Sequence, residues 1–328
     1  MNRMDPTAAF SDYVATVEAE LTSWVGGNNP DDGDILVHAA RHLCLGAGKR
    51  ARPILVKIFA DTVAIPSRRI VEAAVASELI HAASLLHDDV VDAGMFRRGR
   101  PTVNARWGNT VAVMAGDLLL STALSHLAEV DGRLTASALR TVTEMTRAAI
   151  REVEVRGNLD LALSDLATIA EGKTGSLFGW CGIAAATLAE NPDAARHFDA
   201  FGRRIGVAFQ MADDIRDITG TDEGKPQYAD IQSRTPSLPI LLAVQKDEAL
   251  KKRLRDAWGF VAITPERARE LGLSVLVSGA VDESIERMNG AIDAAVDALG
   301  PYAQTKVGSN LVHWARKIAQ GMALKGVA

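Results

Sequence analysis

The chain has 328 residues, of which 48% are apolar and 5% aromatic, and its formal charge at pH 7 is −5. A chain of this size can bury a large core, as one large domain or as two small ones. The negative charge and the absence of long Lys/Arg runs argue against a nucleic-acid partner or a polybasic membrane surface, so any anion site must be local.

The cysteines and the N-terminus bear on where the protein works. Cys44 and Cys181 are far apart, with no CxxC pattern, so neither a disulfide framework nor a zinc site is indicated. The N-terminus is acidic with no apolar signal-type region, and we expect the longest nearly apolar stretch, residues 179–189, to be too short to span a bilayer. These features predict a cytoplasmic protein without a transmembrane segment.

Apolar residues recur at helical spacing along almost the whole chain, for example over residues 71–86, and no segment alternates convincingly as a strand would. Gly, Pro, Asn and Asp gather at the breaks, as at residues 131–132 and 191–192. The pattern predicts an all-α fold of ten or more helices in a single domain over residues 1–328. One long irregular loop is expected at residues 219–237.

The first candidate site residues follow a glycine turn in the segment GAGKRARP, which offers Lys49, Arg50 and Arg52. A Walker A loop would need glycine at position 43, which is Leu43, and Ser or Thr directly after Lys49. The segment EGKTGS fails in the same way, because position 167 is Ala167. The chain is therefore not a P-loop nucleotidase, and a basic group taken alone is most often solvated.

Three carboxylates follow in the segment LLHDDVVDAGMFRRGRP. Asp88 and Asp92 are four residues apart and lie on one helical face, with Asp89 about a quarter-turn aside. Arg97 and Arg98 come shortly after them. The carboxylates therefore converge, with a cationic pair just beyond.

A second segment, FQMADDIRD, repeats the spacing with Asp213 and Asp217, and Asp214 stands beside Asp213. Like charges at this spacing destabilise an exposed helix by about 0.2–0.5 kcal/mol per pair, and a helix C-terminus disfavours anions. One such cluster is compatible with a solvated acidic helix end. Two clusters, each after an apolar helix and neither with a lysine at i+4, favour a cation site.

Mg²⁺ suits these carboxylates best. Zinc prefers His and Cys, and an EF-hand needs an alternating acidic loop with a central glycine. Mg²⁺ binds through one or two carboxylates and completes its octahedron with water and substrate phosphate, which predicts a diphosphate ligand with spare cations nearby. His81, seven residues before Asp88 on the same face, is either a phosphate contact or a satisfied core or surface histidine.

Taken in order, GAGKRARP, LLHDDVVDAGMFRRGRP, EGKTGSLF and FQMADDIRD resemble the motifs of the trans-isoprenyl diphosphate synthases, the polyprenyl synthetase family. The resemblance runs from about residue 48 to residue 239. It implies an all-α isoprenoid-synthase fold around a central cavity, with the two aspartate motifs facing each other across it. It also implies a homodimer and Mg²⁺ as cofactor, with three ions when substrate is bound.

The resemblance implies residue roles position by position. Direct Mg²⁺ ligands are expected at Asp88, Asp92 and Asp213, with Asp89, Asp214 and Asp217 as further ligands or support. Contacts to the allylic diphosphate are expected from Arg97, Lys173 and Lys225. The isopentenyl diphosphate site is expected at Lys49, Arg52, His81 and Arg98. Thr174 and Gln210 are expected to present dipoles to the reacting carbons.

The implied reaction is a prenyl transfer. Metal ions and basic side chains stabilise the departing diphosphate, the allylic C–O bond ionises, and the double bond of isopentenyl diphosphate attacks the carbocation. Loss of a proton to the released diphosphate completes each five-carbon addition. The protein needs no nucleophile of its own, and no Ser/His/Asp arrangement suggests one.

Three features depart from the family pattern. The loop after the second motif has Arg234 and Thr235 where a lysine is common, and Arg216 occupies a usually apolar position as a candidate internal counterion. The GE..Q pattern upstream of the Lys-Thr pair is missing, and its region contains Glu152, Glu154 and Arg156.

Small residues before the first motif predict a long product. Ala83 and Ser84 stand five and four positions before Asp88, where short-chain members commonly carry an aromatic block. Ser77 lies about 16 Å further along the helix and is also small. We expect a product of C30 or more. The alternatives are that the small residues only permit close helix packing, with the floor elsewhere, or that the product is farnesyl or geranylgeranyl diphosphate.

Other functions fit parts of the pattern. A terpene cyclase shares the fold and the first motif, but its second metal site usually has an Asn/Ser/Glu pattern and its cavity is aromatic. A non-catalytic subunit of a heteromeric synthase usually lacks aspartates or basic groups that are present here. A metal-sequestering protein would leave the basic clusters unexplained. We therefore predict an active prenyltransferase that uses isopentenyl and allylic diphosphates and has no nucleic-acid partner.

Overall fold

The structure is a computed structural model that describes residues 10–26, 33–46, 48–65, 68–220, 227–259, 262–305 and 308–323. Its α-helices are α1 (Ser11–Trp24), α2 (Ile35–Cys44), α3 (Ala51–Thr62), α4 (Arg68–Val91), α5 (Val103–Trp107), α6 (Asn109–Val130), α7 (Gly132–Glu154), α8 (Leu163–Ala170), α9 (Ser176–Leu188), α10 (Pro192–Thr219), α11 (Ala229–Ser233), α12 (Leu238–Lys246), α13 (Glu248–Trp258), α14 (Pro265–Val277), α15 (Ala280–Ala298) and α16 (Gly308–Ala323). A π-helix (Glu171–Gly175), a 3₁₀ helix (Gly300–Gln304) and the strands β1 (Phe96–Arg97) and β2 (Arg100–Pro101) complete the described elements. The predicted all-α fold is confirmed.

The helix α9 lies at the centre because it is apolar on every side. Leu177, Phe178 and Trp180 are all fully buried, and the helix contacts α3, α7 and α10. A helix that is apolar all round has no face to offer to water. At Gly202 of α10 an added Cβ would lie 2.4 Å from the carbonyl oxygen of Phe178, so the two helices touch through their backbones. This contact fixes α10 directly against α9.

Two long helices carry the aspartate motifs. The helix α4 has 24 residues and α10 has 28, and each ends at one of the motifs. At 1.5 Å per residue they are about 36 and 42 Å long. A continuous cluster of buried apolar residues runs from Val17 in α1 to Ala315 in α16. Such a core is what the predicted single domain requires.

The helix boundaries at two predicted breaks are confirmed. The side chain of Asp131 accepts a hydrogen bond from the amide of Arg133 at the start of α7. The side chain of Asn191 does the same for Ala194 at the start of α10, where Pro192 occupies the first turn. Two expectations were wrong. A short hairpin, β1–β2, follows α4, and the expected loop at residues 219–237 contains the helix α11.

Two helices, α4 and α6, are long and apolar enough to cross a membrane by length and composition. The expectation that residues 179–189 form the longest nearly apolar stretch was therefore wrong, because only a few charged residues interrupt the apolar and small residues of these two helices. In α4, 67% of the apolar window is buried, as in a core helix. In α6 only 33% is buried, so much apolar surface faces outward in the single chain.

Candidate active site

The first aspartate motif lies at the C-terminal end of α4, where its carboxylates meet cations from distant parts of the chain. Asp88 Oδ2 is 3.6 Å from Nζ of Lys173. Asp89 is buried and accepts hydrogen bonds from Nε and Nη2 of Arg97 at 3.1 and 2.8 Å. Tertiary contacts thus provide the compensation that closely spaced like charges require.

Two further residues belong to this site, although sequence reasoning assigned neither of them a role. Arg156 forms an ion pair with Asp92, and Glu152 forms one with Lys173. Burial raises the pKa of Asp88, Lys173 lowers it, and Glu152 raises it further. Glu152 and Arg156 both lie in the region where the GE..Q pattern is missing. That departure was the feature of the sequence that could have indicated them as site residues.

A β-hairpin turns Arg97 back onto the motif. The strands β1 and β2 are joined by Arg98 and Gly99, which have positive φ angles of 52° and 73°. A two-residue turn with this backbone matches the natural twist of paired strands. Before the hairpin, the amide of Gly94 donates to the carbonyl oxygen of Asp89 at 2.8 Å and reverses the chain after α4. The hairpin therefore determines which arginine reaches Asp89.

In the second motif, Asp214 and Asp217 hold the backbone of the segment that follows α10. The buried carboxylate of Asp214 accepts hydrogen bonds from the amide of Leu238 at 3.1 Å and from the side chain of Gln210 at 3.0 Å. Asp217 accepts from the amide of Ala229 at 2.8 Å and from the next amide at 3.2 Å. Burial raises the pKa of Asp214 to about 6. These two carboxylates organise α11 and the start of α12.

Asp213 differs from its neighbours because its contact is a side chain on the same helix. Arg216, one turn later, forms an ion pair with it. The candidate role of Arg216 as an internal counterion is therefore confirmed. The side chain of Asp213 is 32% exposed, so it remains accessible to a ligand.

The π-helix packs closely between α7 and α10. A Cβ added to Gly172 would lie 2.8 Å from the Cβ of Ala148 on α7. A Cβ added to Gly206 of α10 would lie 2.4 Å from the Cα of Gly175. The glycines of EGKTG thus permit close helix packing. π-Helices are frequent at functional sites, and this one carries Lys173 and Thr174.

Through this π-helix the two motifs are connected. Thr174 Oγ1 donates to Oε1 of Gln210 at 3.2 Å, and Gln210 in turn donates to Asp214. Lys173, one residue earlier, contacts Asp88 of the first motif. Glu152 influences both sides, because it raises the pKa of Asp88 and, after the larger effect of burial, that of Asp214. Thr174 and Gln210, which were both expected to face the reacting carbons, are brought together.

The residues expected to bind isopentenyl diphosphate also meet. Burial lowers the pKa of His81 well below its usual value, and Arg52 and Arg98 lower it further. A Cβ added to Gly48 would lie 3.1 Å from Nη1 of Arg98, so the glycine turn contacts the hairpin. Lys49 follows in that turn and is exposed. His81 is therefore neutral at pH 7 and can donate a hydrogen bond without adding charge.

Arg50 and Arg52 differ in the partners they have. Arg50 already has partners within the protein. It forms an ion pair with Glu78 at 2.9 Å and donates a hydrogen bond to the carbonyl oxygen of Cys44 at 3.0 Å. Arg52 is also buried, its guanidinium carbon is 4.8 Å from the ring centre of Phe178, and its Nε has no hydrogen-bond partner in the described part of the chain. A buried donor without a partner is costly, so Arg52 suits an anionic ligand.

The motif carboxylates also fit Mg²⁺. Among the described residues, no group of three or more His, Cys, Asp or Glu side chains could hold a metal ion by itself. An ion held here through Asp88, Asp92 or Asp213 would therefore complete its shell with water and ligand oxygens. That is the usual mode for Mg²⁺. Lys225 lies outside the described residues, so its role stays a prediction.

The small residues expected to control product length occupy different environments. Ser77 is fully buried beside Cys181 of α9, where burial raises the pKa of the thiol to about 12 and a hydrogen bond with Ser77 opposes the rise. Ala83 is buried in the core, whereas Ser84 is half-buried and donates to the carbonyl oxygen of His81 at 2.8 Å. For Ser77 the alternative of close helix packing has direct support.

Comparison with known proteins identifies this arrangement. The family model described as polyprenyl synthetase matches residues 34–270, which include both aspartate motifs and the π-helix. The chain belongs to the polyprenyl synthetase family. Arg216 and Arg156 each form an ion pair with a motif aspartate.

The relatives within the polyprenyl synthetase family differ in product. The chain is 39% identical over 218 residues to the (2E,6E)-farnesyl diphosphate synthase of Mycobacterium tuberculosis, covering 64% of this chain and 60% of the relative. The chain thus spans about 60% of the length of the mycobacterial relatives it matches. It is 33% identical to heptaprenyl diphosphate synthase component 2 of Geobacillus stearothermophilus over 292 residues, 88% of each chain.

A solved structure shares the fold over nearly the whole chain. It is the polyprenyl synthase from Caulobacter crescentus CB15 complexed with calcium and isoprenyl diphosphate, with a TM-score of 0.89 and 25% sequence identity. The superposition covers 98% of this chain and 97% of the other. That protein therefore binds a divalent cation and an isoprenyl diphosphate on the same fold.

Proposed function

We propose that this chain is a Mg²⁺-dependent trans-prenyltransferase that condenses isopentenyl diphosphate with an allylic diphosphate. The observation that carries the proposal is the connection of both aspartate motifs through the π-helix, in which Lys173 contacts Asp88 and Thr174 contacts Gln210. A site of this kind places cations and carboxylates around one region, as a metal-bound diphosphate requires. Family membership supports the same reaction.

The residues divide the work as follows. Asp88, Asp92 and Asp213 would hold Mg²⁺, which supplies Lewis-acid stabilisation of the leaving diphosphate when bound. Lys173 and Arg97 would bind and orient the allylic diphosphate and neutralise part of its charge.

Beside the developing carbocation, the oxygens of Thr174 and Gln210 would provide dipoles that stabilise positive charge. Arg52, His81, Arg98 and Lys49 would bind the diphosphate of isopentenyl diphosphate. His81, being neutral, would act there as a hydrogen-bond donor.

The product of this reaction is proposed to be long, at C30 or more. The heptaprenyl relative and the small residues Ala83 and Ser84 support this, whereas the farnesyl relative supports a shorter product as the second candidate. Substitution of Ala83→Phe or Ser84→Phe should shorten the product if these positions line the tunnel. Unchanged product lengths in both variants would show that other residues form the floor of the product tunnel.

The enzyme is proposed to act as a cytoplasmic homodimer. The support is α6, whose apolar window is only 33% buried and whose Met114 side chain is exposed, so a second copy would cover apolar surface. The Geobacillus relative is named as a component, which makes a partner subunit of a different sequence the alternative. Light scattering of the purified chain and of Met114→Glu distinguishes the two, since the homodimer predicts a dimer that the glutamate weakens.

Turnover tests the activity itself. Purified protein given an allylic diphosphate and isopentenyl diphosphate should release inorganic diphosphate, and removal of divalent cations by a chelator should stop the release. Activity without any added partner would exclude a non-catalytic subunit. No release with farnesyl, geranyl or geranylgeranyl diphosphate would contradict the proposal.

A further inference from the structure

Outside the two motifs, a cavity of about 540 Å³ opens beside Arg156. Its lining includes three arginines, and no described lining residue is acidic. Four of its lining residues are Arg156, Arg234, Arg255 and Trp258. They come from the ends of α7, α11 and α13, which are distant in sequence.

Helix dipoles explain part of this arrangement. A cation is favourable at the C-terminal end of a helix, and Arg255 lies in the last turn of α13 while Arg234 follows the last residue of α11. Dipoles do not explain why three such ends share one cavity. Nor do they explain why Nε of Arg156 is buried without a hydrogen-bond partner among the described residues.

Guanidinium groups around one cavity repel each other unless an anion lies between them, and arginine is the side chain best suited to bidentate phosphate contacts. Carboxylates that do not line the cavity contact members of this arginine cluster. Arg156 pairs with Asp92, and the exposed Arg255 lies 3.5 Å from Asp160. The backbone is held in place as well, because the amide of Gly157 donates to the carbonyl oxygen of Arg234 at 2.8 Å.

We propose that this cavity binds a phosphate-class anion and that the bound anion draws Arg156 away from Asp92. The anion is either the inorganic diphosphate released by the reaction or free phosphate. The coupling rests on the proposed function, in which Asp92 holds a metal ion. Because linkage is reciprocal, an anion in the cavity and a divalent cation at Asp92 strengthen each other's binding.

Calorimetric titration of the metal-free protein with inorganic diphosphate, and separately with phosphate, tests the site. The titrations use an Arg97→Gln background, which weakens the catalytic diphosphate site. Adding Arg255→Gln should weaken the remaining affinity about tenfold, the effect of losing one charge-assisted hydrogen bond. Arg253→Gln is the matched control, because Arg253 lies on the same helix but bonds to Glu270 and Ser274.

The anion site is overturned if Arg255→Gln and Arg253→Gln titrate alike. Tighter binding of diphosphate than of phosphate, lost in Arg255→Gln, would assign the cavity to the released group. Equal binding, lost in the same variant, would assign it to free phosphate.

The coupling is tested by Mn²⁺ binding, followed as the electron paramagnetic resonance signal of the free ion, with and without sulfate. Sulfate should increase Mn²⁺ affinity in the wild-type protein and not in Arg255→Gln. An affinity that sulfate does not change in the wild type would overturn the coupling. None of these measurements uses turnover, so an inactive protein that still binds the anion would remove the proposed function and leave this site in place.

Discussion

The two aspartate motifs differ in what their carboxylates contact. At the end of α4, Asp88 contacts the side chain of Lys173 and Asp89 contacts that of Arg97. At the end of α10, Asp214 accepts hydrogen bonds from a backbone amide and from a glutamine side chain. Both motifs have aspartates four residues apart. In the first, ion pairs with lysine and arginine side chains neutralise the carboxylates. In the second, most of the carboxylate oxygens are tied to the fold.

The difference shows that two motifs with the same aspartate spacing can have different roles in the structure. Within the second motif only Asp213 resembles the first motif, because its contact is the side chain of Arg216. Asp214 and Asp217 instead connect α10 to α11 and α12. Substitutions in the first motif should therefore affect turnover, and those at Asp214 should affect stability as well.

The largest effect is expected at Asp88. Asp88→Asn should lower kcat by about 10²–10³-fold, because it removes a preorganised charge at the reacting centre. Its free energy of unfolding should not fall, since burial raises the pKa of Asp88 and thereby disfavours its charged form. Diphosphate release and urea unfolding measure the two quantities. Asp256→Asn on the exposed side of α13 is the control, and wild-type turnover in Asp88→Asn would contradict the division between the motifs.

The connection between the motifs can be broken at Gly206. Gly206→Ala brings a Cβ to 2.4 Å from the backbone of Gly175, so the π-helix must move. Overpacking of this kind should lower the free energy of unfolding by about 3 kcal/mol, and the displaced Lys173 should lower turnover. Gly290→Ala is the matched control, because an added Cβ there meets nothing within 4 Å. Equal behaviour of the two variants would show that the π-helix does not connect the motifs.

A smaller loss of stability is expected at Asp214. Asp214→Ala leaves the amide of Leu238 and the side chain of Gln210 without their acceptor, which should lower the free energy of unfolding by about 2 kcal/mol. Asp214→Asn keeps a carbonyl oxygen and should lose less. Urea unfolding of both variants measures the difference. If Asp214→Ala is as stable as the wild type but inactive, Asp214 would serve turnover alone, as the first motif is expected to do.

The smallest effect concerns pH. The pKa of His81 is lowered in the fold, so the unfolded chain binds more protons below about pH 6.5, and the stability present above that pH is lost as the pH falls towards the folded pKa. Asp214 acts in the opposite direction, because its pKa is raised to about 6.

Comparing His81→Gln with the wild type isolates the histidine contribution. Between pH 7.5 and pH 5.5 the wild type should lose about 1 kcal/mol of unfolding free energy relative to the variant. Urea unfolding at the two pH values measures this difference. An equal pH dependence in both proteins would mean that burial and the neighbouring arginines do not lower the pKa of His81.

Local features of the sequence predicted much of this structure. The boundaries at Asp131 and Asn191 followed from side chains that bond to nearby amides, and the facing of Asp88 and Asp92 followed from helical geometry. The hairpin was missed because its two-residue strands are too short to alternate. The helix α11 was missed because it depends on Asp217, which lies twelve residues before Ala229.

Contacts between distant segments could not be predicted from spacing. Glu152 reaches Lys173 across 21 residues, and Arg156 reaches Asp92 across 64. The π-helix depends on glycines that look like a phosphate loop in the sequence but serve close packing in the structure. Sequence patterns therefore identified the motif residues, while tertiary packing decides which cation each aspartate meets.

Mass spectrometry of the reaction products is the most direct test of the proposed activity. The purified chain is incubated with farnesyl diphosphate, isopentenyl diphosphate and Mg²⁺, in parallel with Asp88→Asn. We predict a polyprenyl diphosphate extended by five-carbon units to C30 or more, and little product from the variant. No extension with this or any other allylic primer would contradict a prenyltransferase, and equal products from both proteins would contradict the role of the first motif.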